Sequence, residues 1–266
     1  MTTLSRHDYL CDTNLIAQHG RESGKVKRIM LALLIGIGVF GTVYPAIAEE
    51  ISSDDEKAIA ELVAAADAGN VEAQYVLGNA LINLTGNVAM VARGVTYLEQ
   101  AVKQGHVFAT HNLANLIRHG GVPGKTATDA FNLFLISAEA GFAGSQNNLG
   151  DMYETGDGVP RSYGDAIHWY TRSAMQGEPT AYMSLGTCYA KGLGVSRNVV
   201  ESYRWRLLAV KHFKNAPNNR SETEREMKEL EKTMTPQQIA EGLKLADKFV
   251  PLKQTKNTIG DPQRDK

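Results

Sequence analysis

Apolar and small residues recur along this chain in steps of four, then shift and recur again, and the shifts are evenly spaced. Gly69, Gly105, Gly141 and Gly177 stand 36 residues apart. Between these glycines lie two stretches with helical periodicity joined by a turn, the signature of a helix–turn–helix repeat. Four units follow, at residues 70–105, 106–141, 142–177 and 178–213. In the first helices, Ala73, Ala109, Ser145 and Ala181 share one position, and Leu77, Leu113, Leu149 and Leu185 come four later. Gly78, Ala114, Gly150 and Gly186 follow, and Leu81, Ile117, Tyr153 and Tyr189 complete a stripe on one face. The small residue beside each Leu leaves room for a neighbouring backbone. The second helices alternate small Gly94, Ala130, Ala166 and Ser202 with large Tyr97, Leu133, Trp169 and Trp205. One such pair cannot bury its apolar face, whereas stacked pairs share a core. The pattern predicts an all-α fold, an α/α superhelical solenoid.

The ends depart from the period. Ser53 and Glu56 fit a capping box before Ala58, Ile59, Leu62 and Val63, predicting a half-unit that closes at Gly69 and covers the N-terminal side. The first unit's turn, Thr85-Gly86-Asn87, breaks the Gly-x-Gly-Val pattern of Gly156 to Val159 and Gly192 to Val195. Phe213 stands where a closing Gly is due. Ser221 and Glu224 then predict the start of a charged helix reaching about Lys232, and Thr235-Pro236-Gln237-Gln238 starts another. Ile239, Ala240, Leu243, Leu245, Ala246 and Phe249 give the last helix an apolar face, so residues 214–250 read as a C-terminal helical cap. Polar composition makes residues 251–266 a disordered tail.

Residues 29–48 carry no charge, follow Lys25, Lys27 and Arg28, and end in Ala46-Ile47-Ala48. A basic flank, an apolar run and small residues at the cleavage positions make a secretory signal peptide, with cleavage after Ala48. The alternative is an uncleaved membrane anchor, since about 20 apolar residues span a bilayer. The polar lead before it is long for a signal peptide, and translation starting nearer Val26 would remove Cys11.

Chemistry is sparse. The chain carries a net charge of −1 and offers no basic stripe for nucleic acid. Its cysteines, Cys11 and Cys188, give no metal-ligand spacing or disulfide framework, and Cys188 reads as a small buried hydrophobe. No H-E-x-x-H, phosphate loop or dinucleotide fingerprint occurs. Gly156-Asp157-Gly158 lacks the further oxygen ligands of a calcium loop and reads as a turn, and His168 as a surface or packing residue. No catalytic residue, metal or cofactor is expected.

The segment LGDMYETGDGVPRSYGDAIHWYTRSAMQG resembles the Sel-one-like repeat, a relative of the tetratricopeptide repeat. The match is close in the third and fourth units, moderate in the second and weak in the first. The resemblance implies a scaffold or adaptor that binds a protein or peptide partner. It also implies that the first helices line a concave groove. The face opposite their core stripe carries Glu72, Tyr75, Asn79 and Ile82, then Phe108, His111, Asn115 and Arg118. Asn147, Asp151 and Glu154 follow in the third unit, and Thr180, Met183 and Thr187 in the fourth. The amides can donate to and accept from a peptide backbone, and Phe108, His111 and Met183 offer adaptable contacts. Some cysteine-rich relatives are linked to β-lactam binding or hydrolysis, but their disulfide-tied repeats are absent from this chain.

Overall fold

A computed structural model describes residues 53–85, 88–213 and 216–252. The lead, the signal peptide with its cleavage after Ala48, Cys11, and the Gly86-Asn87 turn all lie outside the described residues. Among the described residues the chain is all-α: α1 (Ser53–Asp67), α2 (Val71–Thr85), α3 (Val88–Lys103), α4 (Val107–Arg118), α5 (Ala127–Glu139), α6 (Ala143–Thr155), α7 (Tyr163–Ala174), α8 (Pro179–Lys191), α9 (Val199–His212), α10 (Pro217–Glu231) and α11 (Pro236–Lys248). It divides into two compact units between Ala109 and Thr110.

The 36-residue glycines do the same work each time. Gly69, Gly105, Gly141 and Gly177 all have positive φ, between 80° and 97°. The residue after each donates its N–H back across the turn, as Asn70 does to Ala65 O, His106 to Ala101 O and Phe142 to Ser137 O. This closes the exposed carbonyl end of a helix, and only glycine takes that conformation without strain.

In the first unit, α1 packs on α2 and α2 on α3 around Ile59, Ala66, Leu77, Leu81, Met90 and Tyr97. The α2–α3 crossing is a glycine contact: a side-chain carbon on Gly94 would strike the Gly78 carbonyl. Tyr97 donates to Asp67 at 2.5 Å, which ties α3 to the half-unit helix.

In the second unit, α5 packs on α6, α6 on α7, α7 on α8 and α8 on α9. The small positions serve as expected. A side-chain carbon on Gly150 would strike the Tyr170 ring, and one on Gly186 would strike Arg206 and crowd Ser202 O. Ala130, Ala166 and Ser202 are fully buried, and Trp169 and Trp205 are buried. The residues after the large ones are buried as well: Phe134 and Tyr170 are almost wholly enclosed, and Arg206 is ion-paired to Glu226 of α10. The inter-helix turns of this unit rest on the preceding repeat. Thr128 Oγ1 donates to Gly158 O at 3.1 Å, and Gly158 has no side chain where Ala127 would block it.

Three expectations about the ends need correction. Ser221 does not open α10. Pro217 does, and Ser221 lies inside the helix while Glu224 pairs with Arg220. Proline at the first helical position has no N–H to leave unsatisfied, so it outcompetes the later Ser. The apolar face expected of α11 is only partly covered: Ala240 and Leu243 are exposed, while Gly242 meets the Tyr203 ring and Ala246 and Phe249 pack on the core. Its start at Pro236 is as expected, and Thr235 and Gln238 close it with a capping box. Finally, the first two residues of the expected tail are docked. Leu252 donates its N–H to Met175 O at 2.7 Å, and Pro251 lies beside bare Gly177. The remainder of that tail lies outside the described residues.

Candidate partner-binding face

In the first unit the candidate residues form an aromatic cluster. Tyr75 stacks on His106 with ring centroids 4.5 Å apart, and Phe108 lies 6.3 Å from Tyr75 and 6.0 Å from His106. Glu72, exposed, sits 3.2 Å from His106 Nε2. Tyr75 and Phe108 are half-buried. Ile82 is half-buried too. Asn79 is not an open groove residue: it is buried, and its amide donates to Tyr75 O one turn back.

In the second unit His111 also departs from expectation. The residue is 6% exposed, its ring enclosed by Phe134 and Phe142 in edge-on contacts at 5.6 and 4.7 Å. Around it runs a one-way chain of hydrogen bonds. Asn148 Nδ2 donates to Asn115 Oδ1 at 3.1 Å, and Asn115 Nδ2 donates to His111 Nε2 at 2.8 Å. An amide nitrogen can only donate, so Nε2 is the accepting nitrogen and Nδ1 carries the proton. Nδ1 then donates to Ser145 Oγ at 2.8 Å, and Ser145 donates to Ser137 Oγ at 2.8 Å. Burial pushes the His111 pKa down to about 3, so the ring is neutral. This Ser–His contact runs opposite to nucleophile activation, which needs the hydroxyl to donate to the imidazole. Ser145 is fully buried, beyond reach of a substrate. The network fastens α4 and α5 to α6.

Arg118 closes the same face. It donates to Asp151 and, through Nε at 2.9 Å, to Asp157. Burial alone would lower its pKa, but the two carboxylates raise it. Asn115 and Arg118 are thus engaged within the chain.

The next two first helices carry candidate residues of the same intermediate burial as Tyr75, Phe108, Asn115 and Arg118. Asn147, Asp151, Glu154, Thr180, Met183 and Thr187 are half-exposed, while Leu149, Met152 and Leu185 on the same helices are buried. Glu154 accepts from Tyr170 at 2.9 Å, and Thr180 donates to Glu178 at 2.9 Å. Thr187 donates to Met183 O at 3.2 Å. Asn147 Oδ1 is a buried atom with no hydrogen-bond partner. His168 is exposed, as expected. Cys188 is buried, and burial with nearby Glu154 pushes its thiol up to about 12. Sequence reasoning missed the buried amide ladder. Gln146 donates to Ala138 O at 3.0 Å and accepts from Gln176 at 2.7 Å, as Gln74 does with Ala66 O and Gln104 in the first unit. Recurrence of Gln at the same register position was the available signal.

Turns, stripes and register together match one repeat. The Sel1 repeat profile fits residues 71–106, 107–142, 143–178 and 179–212, more than half the chain. The chain belongs to the Sel1 repeat family. Proteins of this family generally act as protein-interaction scaffolds, and the fold is generally non-catalytic. Two solved structures share the fold. One is a protective antigen of uropathogenic Escherichia coli strains with an SLR fold, 22% identical at a TM-score of 0.63, aligned over 88% of this chain and 47% of the antigen. The other is a Sel1 repeat protein of Oxalobacter formigenes, 21% identical at a TM-score of 0.59, aligned over 84% of each chain. The chain spans about half the length of the antigen. No curated protein matches it in sequence.

Proposed function

We propose that this Sel1 repeat chain is an exported adaptor that holds an extended segment of a secreted or envelope protein. The capture surface is the open face of α6 and α8. The observation that carries this reading is the contrast along α6 and α8. Their core stripes are enclosed, yet Asn147, Asp151, Glu154, Met183 and Thr187 remain partly open, and Asn147 keeps an unpartnered carbonyl oxygen. In its buried position the Asn147 carbonyl oxygen has no donor, so turning the amide outward to a peptide N–H gives up no bond to that oxygen, and a flexible Met adapts to an apolar side chain. Asn115 and Arg118 serve mainly to hold Asn148, Asp151 and Asp157 in place.

The test is affinity capture from an envelope fraction, followed by titration of the identified partner. The Asn147→Ala, Met183→Ala double variant should weaken binding at least tenfold while its thermal transition stays close to the parent's. Unchanged affinity would remove this face from the proposal. Export is a separate element of the reading, supported by the basic flank, apolar run and small residues ending at Ala48. A mature chain beginning at Glu49 would support it. A full-length chain retained in the membrane would favour the anchored alternative, which rests on the uncharged residues 29–48.

A further inference from the structure

The amide ladder is confined to the first and third repeats: the second carries buried Thr110 at that position, and the fourth departs furthest. Where the first and third repeats carry Gln74 and Gln146, the fourth carries Tyr182, fully buried. Tyr182 stacks on Trp205 with centroids 5.7 Å apart, and His212 meets Tyr182 edge-on at 5.4 Å. The Arg204 guanidinium lies 4.2 Å above the Trp205 ring. The result is an aromatic pocket with a cation over one wall, and the chain's own Phe249 sits in it. The Phe249 ring is 5.8 Å from Tyr182 and 5.4 Å from Trp205, both edge-on, and 5.8 Å from Arg204. The backbone leaves α11 extended at Phe249, Pro251 lies over Gly177, and Leu252 makes one backbone hydrogen bond to Met175 O.

Two features mark this occupant as replaceable. Its hold is small: one ring, one proline contact and one backbone bond, with Val250 75% and Leu252 62% exposed. The pocket is also incompletely satisfied. Tyr182 Oη, Trp205 Nε1 and Arg204 Nε are buried without hydrogen-bond partners. Buried donors without acceptors are costly, so a segment that brings an acceptor gains over one that does not.

We infer that the end of the fourth repeat is a binding site for an extended partner segment carrying an aromatic residue followed two positions later by proline, and that residues 249–252 fill it in cis until displaced. This inference goes beyond the first-helix face and does not rest on it, because the site uses neither Asn147 nor Asp151.

The experiment uses the whole chain and a blocked synthetic peptide, Lys-Phe-Val-Pro-Leu, copied from residues 248–252. By calorimetry the Phe249→Ala chain should bind this peptide at least tenfold more tightly than the parent, whose own segment competes. Replacing Phe by Ala in the peptide should abolish binding, and replacing its exposed Val by Asp should not. No binding to the variant chain, or equal binding to both chains, overturns the inference. If Phe249→Ala fails to fold, hydrogen exchange on the parent decides. A Leu252 amide exchanging about a hundredfold faster than the α9 core supports displacement, and exchange at the α9 rate makes the segment a fixed cap. A dimer formed by trading the segment between copies would instead assign the site to a second copy of this chain.

Discussion

His111 makes acid a specific probe of the second unit. In the folded chain this residue is 6% exposed and its ring refuses a proton until about pH 3. In the unfolded chain it takes one near 6.5, the ordinary value. Between those values the unfolded state binds more protons, so stability falls as pH falls through this window and is unaffected above it. The slope for one group is about 1.4 kcal/mol per pH unit. From neutral to about pH 4.5, His111 should therefore cost the fold roughly 2–3 kcal/mol. The control is His111→Gln, which keeps an acceptor for Asn115 and a donor for Ser145 but does not titrate. Every other ionisable group is common to both proteins and cancels in the comparison. Urea unfolding at the two pH values gives four stabilities. The parent should lose about 2–3 kcal/mol more than the variant over this range. Equal losses would show that His111 is already protonated in the fold, or open to water, and would refute the assigned tautomer and the directed chain from Asn148 to Ser137.

The remaining expectations concern packing. Trp169→Ala should destabilise by about 3–5 kcal/mol, as truncation of a buried aromatic does, and a melting temperature within error of the parent would take Trp169 out of the core. Gly194→Ala should cost at least about 2 kcal/mol, because Gly194 has positive φ and a methyl there would land on the Tyr163 carbonyl. Gly164→Ala, in α7 with open space around it, should instead stabilise by roughly 0.5–1 kcal/mol, and the same chemical-denaturation series checks both. Cys188, buried with its thiol pushed up to about 12, should resist a disulfide reagent at pH 8 until the chain unfolds; modification within minutes of the native protein would contradict its placement.

How much of this was legible depends on what each position needs. The turns were plain because a positive φ admits little but glycine, so four geometrically identical turns left four glycines at one spacing. The core stripe was plain for a similar reason: Leu77, Leu149 and Leu185 fill closed space where a polar residue would be orphaned. The candidate face was harder. A lone amphipathic helix buries one stripe, and the opposite side can then be assigned to solvent. A helix inside a stack is also flanked by its neighbours along the array, and the buried arc widens. Asn79 and His111 fall in that widened arc, and their polarity was the misleading cue. Each spends its hydrogen-bonding capacity inside the protein, Asn79 on its own helix and His111 on the next repeat. Polar character at a repeat position therefore does not separate a groove residue from a buried tie, whereas recurrence across copies does. Gln74 and Gln146 recur in register and make the same bonds, which marks that position as structural. Thr110 and Tyr182 both depart from Gln at that same position, and against Tyr182 the chain holds its own Phe249. In an array built from copies, a large aromatic at a position that other copies fill with a buried polar tie is the place to look for what that copy does alone.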